Sequence, residues 1–281
     1  VDKTFYDAVK DEKLNHDKQT DHGAFHIKMN QENLHFTNHA NETLAATLHL
    51  PDTPGAAGVV LGHCFTCSRH TRILRAAGAS LAKHGIMALR FDFSGNGQSQ
   101  GIFAESTFSK QVREMQAATA ILKDRGAVRI GLAGHSMGAS VAVLTGADTE
   151  NVKAVCAVAG RLTGSEPERF LSAEQQIRFN RDGEAAFTSR GRELRLTRSF
   201  VDDVKSYDLP TILHRYALPL LIIHGDQDEI IAVDVAHDAR QFNPHQIQLD
   251  IIAGADHMFS QENHKTLAVE KMTQWFLANL T

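Results

Sequence analysis

The chain has 281 residues, 42% of them hydrophobic and 22% charged, with a formal net charge of -4. That length suits one large domain whose core needs no metal or disulfide as a staple. Mild acidity gives no footprint for nucleic acid or an anionic membrane surface, and no apolar run approaches the ~20 residues of a membrane span. The three cysteines, Cys64, Cys67 and Cys156, are too few and too odd for a secreted disulfide framework. The first thirty residues lack a signal-peptide apolar core, so a cytoplasmic location is expected.

Residues 1–23 are charged and polar and read as an N-terminal extension, with one domain over 24–281. Asn33–Asn38 and Glu42–Leu50 alternate apolar and polar residues around His39-Ala40-Asn41, which predicts an antiparallel hairpin with one wet face. The pattern then changes. The runs Gly58–Leu61, Ile86–Phe91, Arg129–Ala133, Val152–Ala159, Leu218–His224 and Gln246–Ile252 read as doubly buried parallel strands. Helical periodicity falls between them. Ile73, Leu74, Ala77 and Leu81 share a face closed by Gly85; Phe108, Val112, Met115 and Leu122 share another closed by Gly126; Ala268, Met272, Trp275 and Phe276 form the last. The expected fold class is α/β with a mostly parallel sheet.

The loop after the first parallel run reads Gly62-His63-Cys64-Phe65-Thr66-Cys67-Ser68. Its Cys-x-x-Cys pair has no second pair to complete a zinc site and no helix start of the thioredoxin kind. The expectation is two small side chains packing under the loop, with no metal. Asp92, after the next run, is expected to brace the His63 loop.

Gly134-His135-Ser136-Met137-Gly138 lies between an apolar strand and the helical run Ala139–Leu144. A serine at such a turn is exposed above the sheet, and both flanking glycines allow strand and helix to approach. Ser136 is therefore the candidate nucleophile. A serine hydroxyl needs a base, and the base an orienting acid. His257, in Ala253-Gly254-Ala255-Asp256-His257, alone among sixteen histidines lies just past the last strand. Asp228, in His224-Gly225-Asp226-Gln227-Asp228, is preferred to Asp226 as the acid. Asp256, the sequence neighbour of His257, is expected to cap its loop. An oxyanion needs preorganised N–H donors, and the backbones of Met137 and Phe65 are positioned to supply them. The Phe65 side chain is expected to wall the pocket.

About sixty residues separate the run ending at Ala159 from the one starting at Leu218, where a simple crossover needs about a dozen. Residues 160–208 are read as a lid. It holds an expected hairpin, Glu184–Thr188 with Glu193–Thr197, and the helical stretch Phe200–Tyr207, with a second helical stretch, Leu209–Tyr216, following it. Its eight arginines, at 161, 169, 178, 181, 190, 192, 195 and 198, are expected to form a solvated, salt-bridged surface, with selection of an anion the lesser reading.

Over residues 25–281 the chain resembles the α/β-hydrolase superfamily. The segment from Gly62 to Ser68, Arg90-Phe91-Asp92-Phe93-Ser94-Gly95 and Arg198-Ser199-Phe200-Val201-Asp202-Asp203 look like the hydrolase half of bacterial hydrolase–OsmC fusion proteins. The elbow and the Asp228 and His257 loops are similar to those of bacterial feruloyl and cinnamoyl esterases. The sequence departs from the pattern at Cys64, where a glycine usually follows the loop histidine, and it contains no stretch like the peroxidase-type partner domain. The resemblance implies an α/β-hydrolase fold and a serine esterase with a Ser136–His257–Asp228 triad. It implies short-chain or aromatic esters as small-molecule substrates and no cofactor, with a homodimer left open. Amidase, peptidase, thioesterase and acyltransferase activities, or a non-catalytic ligand-binding role, are the alternatives.

Overall fold

Asn30–Thr37 (β1) and Thr43–Leu50 (β2) pair antiparallel, Asn30 opposite Leu50, as the alternation predicts. The structure is a computed structural model that describes residues 30–53, 55–164 and 166–281. The extension expected over residues 1–23 lies outside the described residues.

From β3 onward each strand of the central sheet is rich in small and branched apolar residues and is followed by a helix. Ala57–Gly62 (β3) leads to α1 (Arg72–Lys83), and Met87–Phe91 (β4) to α2 (Phe108–Asp124). Arg129–His135 (β5) leads to α3 (Met137–Ala147), and Val152–Val158 (β6) opens the lid. The region expected to be a lid contains α4 (Ala173–Asp182), β7 (Glu184–Ser189), β8 (Arg192–Thr197) and α5 (Arg198–Lys205), and α6 (Leu209–His214) follows it. Leu220–Gly225 (β9), α7 (Asp234–Phe242), Ile247–Ile252 (β10) and α8 (Glu262–Leu280) complete the chain.

The eight-stranded sheet runs β1-β2-β4-β3-β5-β6-β9-β10. Only β2 runs against its neighbours; every pair from β4 to β10 is parallel. Parallel strands are buried on both faces, and the core divides accordingly. Val60, Ile130 and Leu132 face α2 and α3, whereas Val59, Leu61 and Ala133 face α1 and α8. This is the α/β-hydrolase fold. Its parallel strands bring the loops after β3, β5, β6, β9 and β10 to one end of the sheet, where open α/β folds place their ligands.

The lid hairpin pairs Ser189 with Arg192 across a two-residue turn, Arg190-Gly191. Both turn residues have positive φ, 51° and 70°, the backbone that matches strand twist in two-residue hairpins. The sequence reading did not include α4. Ile177 and Phe179 are its only large apolar residues, and Ile177 is exposed. Its readable signal is the capping box between Ser172 and Gln175.

Candidate active site

Gly134 and Gly138 are dictated by contact. A Cβ on Gly134 would lie 2.0 Å from the Gly138 oxygen, and one on Gly138 would lie 2.4 Å from the Gly62 oxygen. The elbow is thus pressed against both its own strand and the loop after β3. Between the glycines Ser136 adopts φ 57°, ψ -117°, a conformation that L-residues rarely take. Its N–H is tied to the Val158 oxygen at 2.8 Å, so the neighbouring strand holds the turn in place.

His257 follows β10, and its Nε2 stands 3.1 Å from Ser136 Oγ. Its Nδ1 stands 2.8 Å from Asp228 Oδ2. An ionised carboxylate only accepts, so Nδ1–H donates to Asp228 and the Nε2 lone pair faces the serine hydroxyl. Asp228 Oδ1 accepts from the N–H groups of Ile230 and Ile231 at 2.9 and 2.8 Å. His224 Nε2 lies 3.2 Å from Oδ2 and 2.8 Å from the Ile231 oxygen, so it carries the proton and donates to both. Burial disfavours charge on Asp228, but the hydrogen bonds from His224 and His257, the attraction of the His257 ring and the Ile231 N–H outweigh it. The carboxyl is held well below the usual carboxylate range.

The other aspartates of these loops do different work. Asp226 Oδ1 accepts from the Gly254 N–H at 2.6 Å and fastens the His257 loop to the β9 loop. Asp256 Oδ1 caps the Ser260 N–H at 2.8 Å. Beneath the relay His135 Nε2 is 2.8 Å from the His257 oxygen, which as a carbonyl must accept. Burial first, and the neighbouring His257 second, pull His135 down to about 3, so it stays neutral.

Met137 is the first residue of α3, and the N–H of a first helical residue has no intrahelical acceptor. Among the described residues the Phe65 N–H has none either. Both residues line the same pocket as Ser136 and His257. The Phe65 ring is that pocket's centrepiece, stacked on Phe187 at 6.1 Å and tilted against Phe103 and Phe200 at 5.2 and 5.4 Å. The cavity is about 100 Å³, and Phe108, Phe170, Phe200, Ile230 and Ile231 make its walls largely apolar.

The sequence led to the expectation that Cys64 and Cys67 are free packing side chains; the structure corrects it, because the two are joined by a disulfide. The reason is the turn: Cys67 N–H donates to the Cys64 oxygen at 3.0 Å, which sets the two Cα atoms 5.2 Å apart, within disulfide reach. Asp92 does brace this loop, but through Arg69, whose N–H and guanidinium both donate to it. His63 is held instead by its own bonds: Nε2 accepts from Phe93 N–H at 3.0 Å, so the proton sits on Nδ1 and is donated to the Cys64 oxygen at 2.7 Å. Among the described residues no three His, Cys, Asp or Glu side chains stand together as a metal cradle. No helix among them is long and apolar enough to cross a membrane.

Comparison with known proteins agrees with the fold. A family model described as serine aminopeptidase, S33 matches residues 56–181, less than half of the chain. That span includes the Phe65 loop and the elbow but neither Asp228 nor His257. No curated protein matches. Among solved structures, the esterase domain of a Rhodothermus marinus protein is 24% identical with a TM-score of 0.70, covering 90% of this chain and 100% of its own. Est1E of Butyrivibrio proteoclasticus, solved with ferulic acid bound, is 23% identical with a TM-score of 0.75, over 88% of this chain and 98% of its own. An esterase of Pyrococcus furiosus is 18% identical with a TM-score of 0.68, over 90% of this chain and 92% of its own. These likenesses extend to the fold.

Proposed function

We propose that the protein is a serine carboxylesterase that cleaves short-chain or aromatic esters through an acyl-enzyme. The observation that carries this reading is the unbroken relay from Ser136 Oγ through His257 to Asp228, set at 3.1 and 2.8 Å beside an aromatic pocket. In the proposed reaction His257 Nε2 takes the Ser136 proton as Oγ attacks the ester carbonyl. The Phe65 and Met137 N–H groups receive the oxyanion. Protonated His257 then gives its proton to the leaving alcohol, and Asp228 stabilises the imidazolium meanwhile. Water, deprotonated by His257, releases the acid. The small cavity and its phenylalanine walls favour a short or flat acyl group over a long flexible chain, and the ferulic acid bound by Est1E is a ligand of that shape.

Labelling with a fluorophosphonate probe, followed by kcat/KM for esters from acetyl to palmitoyl, tests the reading. Labelling of Ser136 and a maximum at short or aryl esters are expected. A maximum at palmitoyl would overturn the substrate class, and an unlabelled serine the mechanism.

The matching family model favours a second reading, cleavage of an N-terminal amino acid. Such an enzyme must receive a substrate ammonium group. Against it, the pocket presents two guanidinium groups, Arg161 and Arg190, and one carboxylate, Glu166. Amino-acid para-nitroanilides distinguish the two, since an esterase of this design should cleave them at least about tenfold more slowly than matched esters. The cytoplasmic location remains part of the proposal. It requires the Cys64–Cys67 bond to survive cytosolic reductant, which thiol labelling of protein from intact cells would measure.

A further inference from the structure

We infer that the pocket selects esters bearing a carboxylate, whose charge is received by Arg161 and Arg190. This rests on the esterase reading and deepens it.

The lid arginines divide into two groups. Arg178 pairs with Glu174, Arg181 with Asp182 and Arg195 with Glu184, all on the exposed surface as the sequence suggested. Arg169 lies over the Phe170 ring and Arg198 over the Phe179 ring. Arg192 donates to the Thr66 and Gly95 oxygens. Arg161 and Arg190 are left. Neither guanidinium has a hydrogen bond or ion pair among the described residues, and both line the pocket that contains Ser136 and His257. A cation facing an apolar pocket without a partner calls for an anion, since charge-assisted bonds to a guanidinium are among the stronger ones available.

Both arginines are held in place by the scaffold. Arg161 follows β6, and its carbonyl accepts from Ser140 Oγ, on α3, at 2.8 Å. The preceding Ala159 is fixed by its N–H to the Ile223 oxygen at 2.8 Å. Arg161 is half-buried, and it feels both the repulsion of Arg169 and the attraction of Glu166 and Asp228. Arg190 stands at the hairpin turn with φ 51°, where glycine or asparagine would sit without strain. The turn is locked to the oxyanion loop on either side: Ser189 Oγ bonds Thr66 Oγ1 at 2.7 Å, and Arg192 reaches the Thr66 oxygen at 3.3 Å. Arg190 is exposed at the pocket it lines, within electrostatic reach of the buried imidazoles of His63 and His135. Glu166, exposed at the rim, competes with an incoming anion for Arg161.

The test compares kcat/KM within two matched pairs, with spontaneous hydrolysis subtracted. Para-nitrophenyl hemiadipate against para-nitrophenyl hexanoate places the charge on the acyl side. Para-acetoxybenzoate against phenyl acetate places it on the alcohol side. In one pair the anionic ester should be favoured by about tenfold, and Arg161→Met or Arg190→Met should lower that ratio by about tenfold. Glu166→Gln should raise it, which loss of packing would not do, and half-molar salt should compress it. Turnover of neutral esters with a ratio at or below one in both pairs overturns the inference and leaves the esterase reading intact. So does a ratio that neither arginine substitution changes. Turnover of no ester overturns both.

Discussion

At the scale of the residue, the site is a set of imidazoles whose tautomers are fixed by what they touch. His257 can accept from Ser136 only while Asp228 holds its other proton. Asparagine at 228 could still accept from Ile230 and Ile231, but its amide would face Nδ1 with a donor. The ring would then prefer the tautomer with its proton toward Ser136. Asp228→Asn should therefore lower kcat by at least ~10³-fold. Asp226→Asn, which keeps an oxygen for the Gly254 N–H, should cost less than about tenfold. Equal losses in ester turnover would reverse the assignment of the acid. Ser136→Ala should stay folded and lose at least ~10³-fold in turnover, and full activity in that variant would remove the nucleophile from the account. Ser136, His257 and Asp228 were legible because their order and their places after apolar strands are properties of the chain. The supporting His135 and His224 were not. Nothing local marks one histidine of sixteen as lying under another, since that relation comes from sheet register.

At the scale of the element, the loop from Gly62 to Arg69 is held from four directions. The disulfide closes its turn, Gly62 abuts Gly138, Arg69 is tied to Asp92, and Ser189 and Arg192 of the lid hairpin bond Thr66. Under the proposed function the Phe65 N–H is an oxyanion donor, which works only if it is already aimed, and this redundancy would aim it. Loop-closure entropy for so short a ring is worth about 2 kcal/mol, and Cys64→Ser with Cys67→Ser should lower unfolding stability by that amount. The loss in ester turnover should appear in kcat more than in KM, because the donor acts on the transition state. Urea unfolding with and without dithiothreitol checks the first claim, and an unchanged midpoint would mean the bond constrains nothing. The strands, the hairpins and most helices could be read from the sequence because their apolar spacing is regular. The disulfide could not, because spacing alone does not say whether two thiols three residues apart sit in a turn. Nor could the two pocket arginines be told from their six neighbours, since partnering is settled by the lid's three-dimensional path and not by charge counts along it.

At the scale of the molecule, burying neutral histidines ties stability to pH. His49 lies in β2 against Gly78, and its Nε2 accepts from Arg90 Nε at 2.8 Å, so that nitrogen has no room for a proton. Burial, and then the charges of Arg90 and Arg75, pull His49 from 6.5 down to about 4. His135 is pulled down to about 3. Unfolding frees both rings to protonate near their ordinary value. Between pH 6.5 and 4 the unfolded chain therefore binds two protons that the native state refuses, and stability must fall as pH falls. Each ring contributes a slope of about 1.4 kcal/mol per pH unit, so His49 alone removes about 3 kcal/mol by pH 4. Asp228 joins later: its depressed value adds stability above 3.8 that disappears only as pH drops below it. Two histidines together can thus consume a large part of the ~5–15 kcal/mol by which domains are stable. The expected result is a urea midpoint that is flat above pH 7 and falls steeply between pH 6 and 4. His49→Gln, which can still accept from Arg90, should reduce that slope by about one proton, roughly 1.4 kcal/mol per pH unit. A slope unchanged in that variant would show that acid sensitivity arises elsewhere than in the strand that seats Arg90.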